Sequence, residues 1–248
     1  SAASSHSTNT TAFPTRDPAS SFRASSGVAS HPDHPPRPSF TNVYQQGGAP
    51  SSAQCSRDRE SAIPVSISAS SHGEPLRALV NNAGLAVGKG PFDEGLDEDW
   101  DRMLDTNVKG LLFLARACVS FMREGSRMVN TGSIAGKQVY PGGNVYCASK
   151  HAVDALSQAM RIDLVDRGIG VSQVCPGAAE TEFSNVRFKG DDQAADAVYQ
   201  GFDPLVAQDI AEAIEFILSR PPHVCINDLV IMPTAQASAH HLHRRPTP

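Results

Sequence analysis

The stretch "NVYCASKHAVDALSQAMRIDLVDRGIGVSQVCPG", residues 144 to 177, decides the fold. Its first part reads as a long helix that runs to Gly168, a residue that stops helices well. Ala148, Ala152, Ala155, Leu156 and Ala159 form a stripe of small and apolar residues along it. "IGVSQVCPG" (169 to 177) then reads as a strand ending in Pro-Gly. A near-continuous apolar strand fed directly by a long helix belongs to a parallel sheet buried on both faces.

The same alternation extends in both directions. Upstream, "LRALV" (76 to 80) is a short buried strand ending in the turn "NNAG". "DEDWDRMLDTNVKGLLFLARACVSFMRE" (97 to 124) reads as one long helix, with Asp97 or Asp99 as its cap. Asn107 sits awkwardly inside it, because asparagine competes for backbone hydrogen bonds, so "NVKG" (107 to 110) predicts a local kink. "SRMVNTGS" (126 to 133) is a strand. Downstream, "LVAQDIAEAIEFILSR" (205 to 220) is a helix and "INDLVIM" (226 to 232) a last strand. The fold class is therefore α/β, with helices on both faces of a parallel sheet. Ligand crevices in such sheets lie at the carboxyl ends of the strands. Here those ends carry "NNAG", "TGS" and "CPG".

Residues 1 to 75 do not match this pattern. They contain no Leu, Met, Trp or Lys, and runs such as "ASSGVASHPDHPPRPSF" (24 to 40) are rich in Ser, Pro and His. So few large apolar groups do not offset the entropy of ordering the backbone. The expected organisation is an irregular Ser/Pro-rich segment over 1–75 and a folded part over 76–248, with the boundary near Gly73–Pro75.

A net charge of -5 gives no reason to expect nucleic acid or an anionic membrane as partner. The longest apolar run, "GLLFLARACVSFM" (110 to 122), is broken by Arg116 and too short to span a bilayer. Five scattered cysteines without a C-x-x-C pair fit reduced thiols in a cytoplasmic compartment. "HHLH" (240 to 243) reads as exposed imidazoles rather than a metal site, since no acid or cysteine accompanies it at ligand spacing.

"YCASK" (146 to 150) carries the chemistry. Residues four apart share a helix face, so Tyr146 and Lys150 project together. A free phenol with a pKa of about 10 is a poor base at neutrality, and a neighbouring ammonium favours the phenolate. Ala148 and Ser149 leave the approach open, and Ser133 at a strand end can bond the same substrate oxygen. Each feature alone has a commonplace reading: a solvated pair, a turn serine, a buried amide, turn-forming asparagines. Their order and their shared place at the strand ends are what single them out.

With "NNAG" (81 to 84), "NVKG" (107 to 110), Ser133, "YCASK" and "PG" (176 to 177), residues 76 to about 245 resemble the short-chain dehydrogenase/reductase family. The resemblance implies a Rossmann-type doubly wound sheet, a nicotinamide cofactor and interconversion of an alcohol and a carbonyl. It implies Tyr146 as acid/base, with Lys150 lowering its pKa and holding the nicotinamide ribose. Ser133 would position the substrate oxygen and Asn107 would anchor a proton relay. Asn81, Ala83 and Gly84 would line the adenosine side, while Pro176, Gly177 and Thr181 would bracket the nicotinamide and pyrophosphate.

"TEFSNVRFKGDD" (181 to 192) and "INDLVIMPTAQAS" (226 to 238) resemble the branch that oxidises 3-hydroxy acids such as serine and allo-threonine with NADP, NAD being left open. A guanidinium at Arg187 would grip the substrate carboxylate; a surface arginine without a ligand is the competing reading. The family's shared four-helix interface implies a homodimer or homotetramer.

The family's Thr-Gly-x-x-x-Gly-x-Gly turn, which holds the pyrophosphate, is absent from the sequence. The sequence also does not begin with Met, as a fragment or processed product would not. The expectation is that the first strands and the phosphate loop are replaced by sequence from a shifted frame, a wrong exon or a retained non-coding stretch. A transit peptide is the second explanation. Two functions compete: an NADP-dependent hydroxy-acid oxidoreductase, and an inactive family member that retains only the oligomerising helices.

Overall fold

The computed structural model describes residues 75 to 246. Expectations for the Ser/Pro-rich segment fall outside these residues.

Strand β1 (Leu76–Asn81) opens the fold. Helix α1 (Asp97–Leu104) follows, then a π-helical segment over Asp105–Gly110 and helix α2 (Leu111–Val119). The predicted kink at Asn107 is thus a π-turn inside an otherwise continuous helix. Such turns mark places where side chains are re-aimed. The cap of α1 is Leu96, not Asp97 or Asp99. Those acids lie in the first turn, where they still meet the positive end of the helix dipole.

The helix predicted through Glu124 ends at Val119. Phe121 offers its carbonyl to Leu76 N at 2.9 Å, and Met122 pairs with Leu76 as the start of strand β2 (Met122–Thr131). Gly125, at φ 81, then bulges the chain before pairing resumes at Arg127. Burial of Met122 and the left-handed glycine outweigh the helical propensity of "FMRE".

Helix α3 (Asn144–Leu164) tightens into a 3-10 turn over Val165–Arg167 and stops at Gly168 as predicted, with that residue left-handed. Strand β3 (Gly170–Pro176) follows. Two short helices unforeseen in the sequence, α4 (Phe183–Arg187) and α5 (Asp192–Ala197), occupy the segment after the Pro-Gly turn. A two-residue strand β4 (Ala179–Glu180) pairs with β5 (Leu205–Val206), so the next helix, α6 (Ala207–Leu218), starts later than predicted. Asp209 accepts a hydrogen bond from Val206 N at 2.8 Å and satisfies the first turn. Strand β6 (Asp228–Ile231) completes the main sheet.

That sheet is parallel throughout, in the order β1-β2-β3-β6. Period-2 alternation sends neighbouring residues of β2 and β3 to opposite faces. Met128 and Val171 pack with Leu79, Ala115, Cys118 and Leu164 on the side of α2 and α3. Val129 and Val174 pack with Ile217 and the apolar stripe of α6 on the other. Helices on both faces of a parallel sheet make this a Rossmann-like α/β fold. Among the described residues β1 forms one edge of the sheet.

Candidate active site

Three strand ends and the start of α3 meet at one edge of the sheet. Tyr146 and Lys150 lie on the first turns of α3 and are both buried. Ser133 follows β2 and caps a short 3-10 turn over Ile134–Gly136, accepting from Ala135 N at 3.1 Å. Gly136 allows that turn to pack on α3, since a Cβ there would stand 2.5 Å from the Lys150 carbonyl oxygen. The packing brings the Ser133 hydroxyl beside the Tyr146 phenol.

Lys150 Nζ donates to the Thr131 carbonyl at 2.9 Å, at the last residue of β2. Burial pulls its pKa down to about 8. The pKa of Tyr146 moves far up, chiefly through burial; the Ser133 hydroxyl and the positive charge of Arg187 pull the other way. The Lys150 ammonium donates to Thr131 O, and the Arg187 guanidinium brings to the phenol a positive charge that the sequence did not suggest.

Asn107 is 1 % exposed and ties three elements together. Its Oδ1 accepts from Leu85 N at 2.8 Å, and its Nδ2 donates to Leu85 O at 2.8 Å and Ser149 Oγ at 3.0 Å. Ser149 in turn donates to Tyr146 O at 2.8 Å. The π-turn therefore aims Asn107 between the loop after β1 and the turn of α3 that carries Tyr146. Gly84 sits against this group: a Cβ there would lie 3.2 Å from both Asn107 Oδ1 and Lys150 Nζ.

Of the residues expected along a nucleotide, Ala83 and Gly84 are exposed at the end of β1. Asn81 differs: its side chain is buried and donates to Asn130 Oδ1 at 2.8 Å, and Asn130 continues to Ser157 at 2.9 Å. Period-2 alternation turns Asn81 into the layer between β1, β2 and α3, so its side chain does not line an open site. Pro176 ends β3, and its carbonyl accepts from Ser133 Oγ at 3.4 Å. Gly177 N donates to Ile231 O at 2.8 Å, and Thr181 is exposed, accepting from Phe183 N at 3.3 Å.

Arg187, at the end of α4, reaches back into the cluster. Its guanidinium carbon stands 5.4 Å from the Tyr140 ring centroid and 5.7 Å from that of Tyr146. Nη1 donates to Tyr140 Oη at 2.9 Å, while Nε and Nη2 are shielded from solvent without a partner. Tyr140 was invisible as a site residue in the sequence. Its signal was a tyrosine immediately before the turn "PGG" that leads into α3. Gly88 N to Arg187 O at 3.0 Å and the Lys189–Asp99 ion pair at 2.8 Å clip this segment to the loop after β1 and to α1.

The imidazoles of "HHLH" are exposed, and among the described residues no group of His, Cys, Asp and Glu is placed to hold a metal. Cys118, Cys147, Cys175 and Cys225 are free thiols. No described helix is long and apolar enough to cross a membrane.

A parallel α/β sheet with a serine, a tyrosine and a lysine gathered at the carboxyl edge of its strands defines a dehydrogenase-type fold. The family model for short chain dehydrogenases matches residues 53–192. The chain belongs to the short-chain dehydrogenase family, and the match begins upstream of the boundary read near Gly73–Pro75. A sulfoacetaldehyde reductase of Chromohalobacter salexigens is 46% identical over 165 residues, 65% of this chain and 65% of that protein. NADP-dependent 3-hydroxy acid dehydrogenases of Schizosaccharomyces pombe and Escherichia coli K12 are 41% and 45% identical, over 68% and 65% of this chain and 66% of each relative. Among solved structures, the closed form of serine dehydrogenase complexed with NADP+ superposes with a TM-score of 0.64 at 44% identity, covering 68% of this chain and 69% of that one. The chain spans about 65% of the length of the curated relatives it matches.

Proposed function

We propose that this chain carries the catalytic half of an NADP-dependent oxidoreductase that interconverts the alcohol and carbonyl of a small 3-hydroxy acid. The observation that supports it best is the meeting of Tyr146, Ser133 and Lys150 with a guanidinium whose Nε and Nη2 are unbonded. Identity of 41% and 45% to relatives named as NADP-dependent 3-hydroxy acid dehydrogenases agrees with it. The relative named sulfoacetaldehyde reductase widens the substrate class to small organic acids bearing another anionic group.

The residues present fit the nicotinamide end of the cofactor. Gly84 leaves room beside Lys150, and the exposed Ala83 and Thr181 flank the same edge. When bound, the cofactor would supply or accept the hydride. Tyr146 delivers the proton to the carbonyl oxygen, or removes it from the alcohol in the reverse direction. Ser133 holds that oxygen at the phenol. Lys150 presents its ammonium at the end of β2 for a ribose hydroxyl. Asn107 acts as a positioning residue, locking the turn of α3 that bears Tyr146. Arg187 takes the acid group of the substrate through Nε and Nη2, the side-on pair that suits two carboxylate oxygens. No glycine-rich turn between a strand and a helix is present among the described residues, so that holding element for the pyrophosphate is not among them.

That last point favours a second reading, a family member without turnover that retains its partner-binding helices. Phe113 of α2 and Ala148, Ala155, Ala159 and Ile162 of α3 are exposed, Ile162 at 74%, which suits a homodimer or homotetramer. Free buried thiols suit a reducing, cytoplasmic setting. NADPH consumption with a 3-oxo acid separates the two readings. Turnover that falls at least about a hundredfold in Tyr146→Phe supports the enzyme. Undetectable turnover in the parent chain, or full turnover in the variant, refutes it.

A further inference from the structure

The proton donor and the substrate-facing cation are not independent in this site. Arg187 lies 5.7 Å from the Tyr146 ring centroid, held by its hydrogen bond to Tyr140 and by the clip from Gly88 N to its own carbonyl. It enters no ion pair among the described residues, so its charge is not neutralised within this part of the chain. Its two unbonded donors are shielded from solvent, so an anion that reaches them meets no competing partner.

The groups that face Tyr146 come from every element around it. Ser133 comes from the end of β2, Tyr140 from the loop before α3, and Cys147 and Lys150 from α3 itself. Phe183 of α4 meets the ring edge-on at 5.5 Å, and Arg187 follows from the same helix. Ser133, Tyr140, Cys147 and Phe183 bring no permanent charge. Lys150 Nζ donates to Thr131 O, and its charge is the same whether or not substrate is bound. Arg187 is the cation seated over the ring with donors left for an anion.

Resting on the assignment of Arg187 to the acid group, we propose that this guanidinium couples the charge of the substrate to the protonation of Tyr146. A bound anion cancels the attraction of Arg187 for the phenolate, so Tyr146 holds its proton more tightly. An uncharged analogue leaves that attraction in place. The positive charge of Arg187 does act to lower the phenol in the free site. For charges at roughly this spacing in a partly shielded site, the coupling amounts to about one to two pH units. The site thus carries a substrate-dependent pH profile: with an anionic substrate, reduction persists to higher pH, and alcohol oxidation needs a higher pH to begin.

The test places a polyfluorinated tyrosine at position 146 of the full chain, making the phenol acidic enough to titrate while the protein stays folded. Phenolate absorbance is followed against pH with saturating 3-hydroxypropionate, with 1,3-propanediol, and with neither. The acid should raise the apparent pKa of residue 146 by about one unit, and the diol should leave it in place. Arg187→Gln should start from a higher value and show no rise, and Arg187→Lys, which keeps the charge, should restore it. An equal response to acid and diol, a rise that persists in Arg187→Gln, or no response to the acid overturns the proposal. The readout requires neither cofactor nor hydride transfer. It can therefore fail while NADP-linked turnover stands, and hold where turnover fails.

Discussion

Lys150→Met should make the protein more stable at neutral pH. The ammonium is buried and its pKa is drawn from an ordinary 10.5 down to about 8 by that burial. A lysine whose pKa falls on folding binds its proton more tightly in the unfolded chain. Between about pH 8 and 10.5 the unfolded state therefore carries more protons, and stability rises with pH across that window. Below it, the buried charge costs about 3 kcal/mol. Methionine removes the charge with similar bulk but leaves the Thr131 carbonyl without its donor, which returns about 1 kcal/mol. The net gain at pH 7 is about 2 kcal/mol. Urea unfolding of the full chain, followed through its single tryptophan, Trp100, measures this between pH 7 and 10.5. The variant should be the more stable at pH 7, and its advantage should vanish and reverse as the pH rises. Taking the difference between the two proteins removes the other groups that titrate there. A gap that stays constant with pH would refute the reasoning, because a charge buried at a cost must stop costing once neutral. In the same variant, loss of turnover alongside the gain would show stability given up for function.

Asn107→Ala should destabilise the protein by about 3 kcal/mol, since the amide and carbonyl of Leu85 lose their shared partner and Ser149 loses its donor. Unfolding in urea checks this, and a loss under about 1 kcal/mol would mean that water replaces the side chain at little cost. NADP should bind the chain more weakly than the low micromolar range, because Lys150 and the turn after Pro176 address only the nicotinamide end. Titration calorimetry decides it: a dissociation constant in the low micromolar range would mean that a phosphate site exists outside the described residues or is donated by a partner chain.

Much of this molecule is legible along the chain, and the reason is that its signals are local. Helix α3 stops at Gly168 because a left-handed residue is needed there and glycine reaches it without strain. The central strands β2 and β3 are buried on both faces over 126–130 and 171–175, whereas the outer strands β1 and β6 keep residues such as Val80 and Val230 exposed. Tyr146 and Lys150 share a face by helical period alone. The kink at Asn107 is legible because asparagine suits a helix interior poorly; that it is a π-turn aimed at Leu85 and Ser149 is not, since both partners are remote in sequence. The premature end of α2 depended on pairing of Met122 with Leu76, and the late start of α6 on pairing of Leu205 with Ala179. Arg187 and Asn81 were each decided in three dimensions. An arginine on a short helix is a surface residue until the chain folds back and sets it on Tyr140 and Tyr146. An asparagine in "NNAG" points to a crevice until strand alternation turns it toward Asn130 instead. The sequence by itself determined the family, the parallel sheet and the shared helix face of Tyr146 and Lys150, all carried by short-range period and turn chemistry. Only the tertiary structure decided that Arg187 sits against Tyr146, because electrostatic influence follows distance in space, and Arg187 is nearer to that ring through space than its place in the chain discloses.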